Sequence, residues 1–367
     1  MLEKNAPKIS ILVPCYNVAP YVDECLRSIA NQTLKDIEII CINDGSTDKT
    51  LEIIRRYADG DNRFVVIDKE NEGYGKSMNR GLDAATGEYI AIVESDDWIE
   101  ADAMETLYAA AIKHDADLVK ADFVFFDNDT RLESPSWDIG LNPRLRDTVF
   151  CPAEQNPDIM WSGHPSIWTC LYRTKTIRDK NIRFAETPGA AFQDMGFKPK
   201  TFIAATRFIY IDKVILHYRK HANNSDKNNG KIFAVADAHD DTDAWMRQNC
   251  PNMPGAVKIL NQCRFSNYMW NLSRLSGSAR ADFRRRFQSE FAVYKKQNAL
   301  ERAYFDTKTW LKLRSIISPR NPIWRVLRTL VVCAKPVYKI KIRNGQRIHC
   351  LFNTFVVKNT DLPGVNK

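Results

Sequence analysis

Ile9-Ser10-Ile11-Leu12-Val13-Pro14, followed by Cys15-Tyr16-Asn17, is a short apolar run that ends on an aromatic and an amide. Such a run reads as a buried strand. Tyr21 to Gln32 then sets Val22, Cys25, Leu26 and Ile29 at helical spacing, which makes one strand–helix unit. The unit recurs. Glu38 to Asn43 is a second strand, Thr47 or Asp48 caps a helix carrying Leu51, Ile54 and Tyr57, and Phe64 to Ile67 is a third strand. A helix from Gly75 to Ala85, a strand from Glu88 to Val93, a helix from Asp102 to Lys113 and a strand from Ala116 to Phe125 continue the pattern. Five strands with intervening helices predict an α/β fold, its mainly parallel sheet covered on both faces.

The remainder is consistent with that frame. The chain has 367 residues, 44% apolar and 11% aromatic, which excludes disordered and fibrous classes. From Asp127 to Pro165 the chain is rich in Pro, Asn, Asp and Trp without a sustained period, so long functional loops are expected. Ile167 to Tyr172, a short helix from Thr174 to Lys180, a helix from Phe197 to Ala205 and a strand from Arg207 to Leu216 follow, then a polar loop from Asn223 to Gly230. Beyond it the chain reads mostly helical and basic, ending in a short Lys-rich apolar tail. Residues 1–230 carry 28 Lys and Arg against 36 Asp and Glu, and residues 231–367 carry 25 against 9. The expected domains are 1–230, in two halves divided at residue 125 (1–125 and 126–230), and a basic helical region, 231–367. No apolar run reaches the ~18–20 residues that cross a bilayer, and the opening residues lack a secretory signal pattern. A cytoplasmic protein is expected. The nine cysteines show no C-x-x-C spacing, so neither a disulfide framework nor a cysteine zinc site is indicated.

In parallel sheets ligands bind beyond the carboxyl ends of the strands. Those positions hold Pro14-Cys15-Tyr16-Asn17, Asp44-Gly45-Ser46-Thr47-Asp48, Asn71-Glu72-Gly73-Tyr74-Gly75-Lys76 and Glu94-Ser95-Asp96-Asp97. Tyr16 could stack on a base while Asp44 accepts from its ring N–H, which suits a uracil-like ring. Clustered acids after a buried strand could hold Mg²⁺ or Mn²⁺ together with substrate phosphates. Each motif also has a plain structural reading, as a turn with a helix cap or as a solvated acidic loop. The dinucleotide G-x-G-x-x-G and the P-loop motif are both missing.

Together the four loops resemble the family 2 glycosyltransferases of GT-A fold, which make bacterial cell-surface polysaccharides. Ile11 to Asn17, Asn43 to Asp48, Asn71 to Gly75 with Asn79, and Glu94 to Trp98 match that family's motifs in order and spacing. The resemblance implies a nucleotide-sugar donor, UDP-linked first, and a site of Pro14, Tyr16, Asn17, Asp44, Ser46, Gly73, Lys76, Asn79, Glu94, Ser95 and Asp96. The family's metal-binding D-x-D is met by Glu94-Ser95-Asp96-Asp97, so Asp96, then Asp97, are the expected ligands of a Mn²⁺ or Mg²⁺ cofactor, and Glu94 faces the ribose. Gln193-Asp194 stands where the family has Glu-Asp near the acceptor, which makes Asp194 the expected general base of an inverting transfer. His217-Tyr218-Arg219-Lys220-His221 is similar to a further family segment. Arg219 and His221 are then expected on the diphosphate, or else on an ordinary surface loop, and His217 in the metal shell or the core.

The resemblance further implies an acceptor hydroxyl on a growing surface glycan or a lipid-linked oligosaccharide. Basic helical stretches such as Arg284 to Arg286, with Phe283, Phe287 and Phe291 interleaved, fit a membrane surface on the inner face of the cell membrane; they equally fit a solvated face on an ordinary core. No nucleic-acid partner is expected. Two other classes stay open. They are a non-catalytic scaffold, supported by Glu94 and Gln193 departing from the family pattern, and a nucleotidyltransferase, whose glycine-rich first loop this chain lacks.

Overall fold

The computed structural model describes residues 6–135, 145–155, 157, 159–162, 164, 166–187, 189–190, 192–220, 231–318, 338–343, 346–351 and 355–361. Two compact units divide the chain, Met1–Arg285 and Arg286–Lys367. The unit that holds the large sheet therefore continues well past the line drawn at residue 230.

In that unit β1 (Ile9–Cys15), α1 (Val22–Ala30), β2 (Ile37–Asp44), α2 (Thr50–Gly60), β3 (Phe64–Lys69), α3 (Tyr74–Ala84) and β4 (Tyr89–Ile92) follow the expected alternation. Every residue of β1 and β4 is buried, so side chains pointing to either face of the sheet are covered. Next come β5 (Trp98–Ile99), α4 (Ala103–His114), β6 (Leu118–Asp127), β7 (Glu133–Pro135), β8 (Val149–Phe150), α5 (Ile159–Ser162), β9 (Cys170–Arg173), α6 (Thr174–Asp179), α7 (Asp194–Ala204) and β10 (Phe208–Lys220). The sheet order is β3-β2-β1-β4-β9-β6-β10-β5, with β7 on β6 and β8 on β10. Pairs β1–β2, β1–β4, β2–β3 and β6–β10 are parallel, whereas β9 lies antiparallel between β4 and β6. Two boundaries differ from the sequence reading in ways that matter. Helix α7 starts three residues earlier, at Asp194, and β10 runs four residues longer, so that Arg219 is a strand residue rather than a loop residue.

Helices α8 (Ala234–Asn249) and α9 (Pro254–Arg274) complete this unit, and α10 (Gly277–Lys296) crosses the division. The second unit holds α11 (Thr307–Ile317) and an antiparallel meander of β11 (Tyr338–Arg343), β12 (Gln346–Leu351) and β13 (Phe355–Asp361). That meander corrects the expectation of a plain tail. Phe283, Phe287 and Phe291 are fully buried, so these three rings of α10 are not offered to a surface. The stretch Ile323 to Val332 lies outside the described residues. Among the described residues no helix is long and apolar enough to cross a membrane.

Candidate active site

The ends of β1 and β2 are tied together by their own loops. Asn17, at φ +52°, takes Thr47 N–H on its Oδ1 at 2.8 Å and donates its backbone N–H to Ser46 Oγ at 3.1 Å. Val18 and Ala19 donate backbone N–H groups to Thr50 Oγ1 and Asp48 Oδ2. With Asn17 fixed, Tyr16 stands 51% exposed, an open ring at the strand end. Asp44 is 5% exposed and receives the backbone N–H groups of Glu72 and Gly73 at 2.9 Å each, together with the Lys69 ammonium. It thereby clamps the third loop to the second. Pro14 is buried inside β1, paired with Ile42, so it meets core and not ligand.

The third loop is in turn interlocked with residues 183–190. Gly73 sits at φ +94°, where an added Cβ would come within 2.6 Å of Gly189 N, and at Gly75 it would meet Ala185 O at 2.0 Å. Asn79 donates to Phe184 O (3.0 Å) and Glu186 Oε1 (2.9 Å) and accepts from Phe184 N–H (2.9 Å). Its amide is committed to holding that segment, which corrects the expectation of a donor contact. Lys76 lies 3.4 Å from Glu72 on the exposed side of α3.

The acidic loop splits into distinct environments. Glu94 Oε1 accepts from Tyr74 O–H at 2.7 Å. Burial, reinforced by the charges of Asp96 and Asp194 against that one hydrogen bond, raises the Glu94 carboxyl to about 8. Ser95 is buried beside Cys15, whose thiol burial pushes up to about 12 and so keeps from acting as a nucleophile. Asp97 is 1% exposed. Its Oδ1 accepts Arg219 N–H at 2.8 Å, its Oδ2 is buried with no hydrogen-bond partner among the described residues, and burial holds the carboxyl well above the usual range. Asp97 thus faces inward, against the backbone of β10. Asp96 is the remaining, partly exposed acid.

Arg219 holds this loop from behind. Its Nε donates to Asp96 O and its Nη1 to Asn128 Oδ1, both at 2.8 Å, its Nη2 reaches Glu24 Oε2 at 2.5 Å, and its guanidinium lies 4.6 Å from the Trp98 ring centroid. A guanidinium 3% exposed and so fully engaged braces the loop and does not close on a diphosphate. His221 lies outside the described residues. His217 stacks on Trp98 with its two nitrogens on Glu100 and Glu133.

Asp194 opens α7, its Oδ1 accepting Met195 N–H at 2.9 Å. Burial raises its carboxyl to about 6, the Met195 N–H and the Lys198 charge opposing. The Asp194 charge is among those that raise both the Glu94 carboxyl and the Tyr74 hydroxyl, so the base candidate lies close enough to the acidic loop to act on it. Gln193 donates to Thr187 Oγ1 and Gly189 O at 2.9 Å each and shapes the approach to Asp194.

The profile described as Glycosyl transferase family 2 matches residues 10–180. Glycosyltransferase GlyG of Streptococcus pneumoniae serotype 4 is 42% identical over 226 residues, 59% of this chain and 72% of that protein. The chain belongs to glycosyl transferase family 2. EpsH of Bacillus subtilis (strain 168) is 35% identical over 225 residues, 60% of this chain and 63% of that protein. The chain thus spans less than two thirds of EpsH and 30% of another relative, glycosyltransferase GlyA of S. pneumoniae. The structure of S. aureus TarS 1–349 in complex with UDP-GlcNAc superposes with a TM-score of 0.68 at 19% identity, over 94% of this chain and 97% of that one. That likeness establishes the GT-A fold.

Within this family frame, two contributors escaped the sequence reading. Tyr74 was placed in a motif without a role, yet its hydroxyl is the partner of Glu94; Lys69, the last residue of β3, is the partner of Asp44. An aromatic set between two glycines, Gly73 and Gly75, and a cation at a strand end beside an acid at the end of the neighbouring strand are the signals that could have found them.

Proposed function

We propose that this chain transfers a glycosyl group from a nucleotide sugar, UDP-linked first, to a glycan hydroxyl with inversion, Asp194 acting as general base. The observation that carries the reading is the Asp194 carboxyl, raised to about 6 at the start of α7 beside the acidic loop. A base is most effective when its pKa lies near the working pH, and such help is worth ~10²–10⁴-fold. Asp194 Oδ1 holds the Met195 N–H, so Oδ2 takes the acceptor proton while the acceptor oxygen attacks the anomeric carbon and the nucleoside diphosphate leaves. Tyr16 offers a ring for the base of the nucleotide. TarS, a fold neighbour, has been captured with UDP and with UDP-GlcNAc.

Among the described residues no three His, Cys, Asp or Glu side chains gather as a metal site. A partly exposed carboxyl fits a cation that draws its remaining ligands from substrate phosphates and water, so Asp96 would hold Mn²⁺ or Mg²⁺. When bound, that ion supplies charge neutralisation for the departing diphosphate. Replacement of the family Glu by Gln193 leaves Asp194 in place, which favours catalysis over a scaffold role. Calorimetric titration with UDP, with and without Mn²⁺, followed by a UDP-sugar hydrolysis screen, tests the reading. Metal-dependent UDP binding and turnover are expected; no UDP binding under either condition overturns it.

A further inference from the structure

We infer that Trp270, Phe192 and Arg274 form a platform on which a pyranose ring of the glycan acceptor stacks beside Asp194, a reading that rests on the proposed transfer. Phe192, two residues before Asp194, has φ +61°, a left-handed conformation that bulky side chains rarely adopt and that clusters at functional sites. From it the ring meets Trp270 of α9 edge to face, with centroids 5.3 Å apart and planes at 77°. The Arg274 guanidinium carbon lies 4.6 Å from the Phe192 centroid and 5.3 Å from that of Trp270. Its Nε donates to Asn271 Oδ1 at 2.7 Å, one turn back along the helix.

A tryptophan normally hides most of its surface, yet Trp270 is 38% exposed although pinned by two neighbours. Among the described residues, the large hydrophobic side chains that stand exposed include two aromatics, Tyr16 and Trp270. Tyr16 lies at the strand ends assigned to the donor, and Trp270 lies next to the loop that carries the base. An acceptor must approach Asp194 to surrender its proton. The electron-rich face of an immobilised indole suits the weakly positive C–H face of a pyranose, and immobilisation lowers the ordering cost of binding.

Saturation-transfer NMR tests this on the full chain saturated with UDP, using methyl β-D-glucopyranoside, methyl β-D-galactopyranoside and methyl N-acetyl-β-D-glucosaminide as probes. At least one glycoside should give a signal that falls about tenfold in Trp270→Ala and is largely restored in Trp270→Phe, and calorimetry on the same samples should give one UDP affinity for all three proteins. No glycoside signal from the unmodified protein, or an equal signal from Trp270→Ala with UDP binding intact, overturns the platform. Failure of the unmodified protein to bind UDP would instead overturn the transferase reading, and a glycoside signal still dependent on Trp270 would then keep the platform standing.

Discussion

Glu94→Gln should stabilise the protein by an amount that grows with pH. In the folded chain the Glu94 carboxyl is raised from its ordinary 4.5 to about 8, chiefly by burial. A raised carboxyl keeps its proton in the folded state after the unfolded chain has lost it. Its contribution is therefore complete below about 4.5 and is lost as pH climbs through about 8. At about 1.36 kcal/mol per pH unit, the loss is under about 1 kcal/mol at pH 5, about 3 kcal/mol at pH 7 and about 5 kcal/mol above pH 9. Glutamine is neutral throughout, and its Oε1 still accepts from Tyr74 O–H, so the variant removes the titration and keeps the contact. Urea unfolding of both proteins at pH 5, 7 and 9 measures the difference directly. A difference that stays constant across that range would refute the argument, because Glu94 would then ionise alike in folded and unfolded chains. The same protonation matters at the site: a neutral Glu94 lessens the negative charge that an arriving diphosphate meets.

Asp194→Asn should lower transfer by ~10²–10⁴-fold and abolish the rise of kcat/KM through pH 6, while UDP affinity by calorimetry stays within about twofold. Tyr16→Ala should weaken UDP binding roughly tenfold, by loss of its open ring, without lowering the melting temperature. Gly75→Ala must displace Ala185 O, 2.0 Å from the new Cβ, and should cost about 1–3 kcal/mol in urea unfolding. Arg219→Ala removes the side-chain hydrogen bonds to Asp96 O, Asn128 and Glu24 while the backbone N–H to Asp97 stays, and should cost about 1–3 kcal/mol in urea unfolding; Arg219→Lys should recover little, since an ammonium cannot reproduce the fork that spans those three partners.

What could be read in advance follows from the physics of each segment. Strands β1 to β4 are apolar runs set between helices of regular spacing, so their order and the convergence of their loops were legible. The two residues of β5 are too few to show a period, and the antiparallel insertion of β9 depends on partners 50 and more residues away in sequence. The identities of the acidic loop were visible, but not their directions. Glu94 turns to Tyr74 and Asp97 to the Arg219 backbone, and that strand lies more than a hundred residues downstream. Trp270 sits in a helix whose apolar residues include the buried Ile259, Leu260, Phe265, Tyr268 and Leu272, and nothing local to the sequence separates it from them.

The departures at Glu94 and Gln193 find a physical explanation in what each group must do. A glutamine at 193 can donate two hydrogen bonds, and it spends them on Thr187 Oγ1 and Gly189 O; an ionised glutamate could donate neither. Gly189 in turn takes Tyr74 N–H on its carbonyl and leaves room for no side chain on Gly73. The Gln193 amide thus locks the loop before Asp194 to the loop that Asp44 clamps and that supplies Tyr74 to Glu94. The segment that precedes Asp194 and the segment from Glu72 to Tyr74 form one hydrogen-bonded unit. A change at Gln193 should therefore disturb Glu94 as well as Asp194, although Gln193 itself carries no charge.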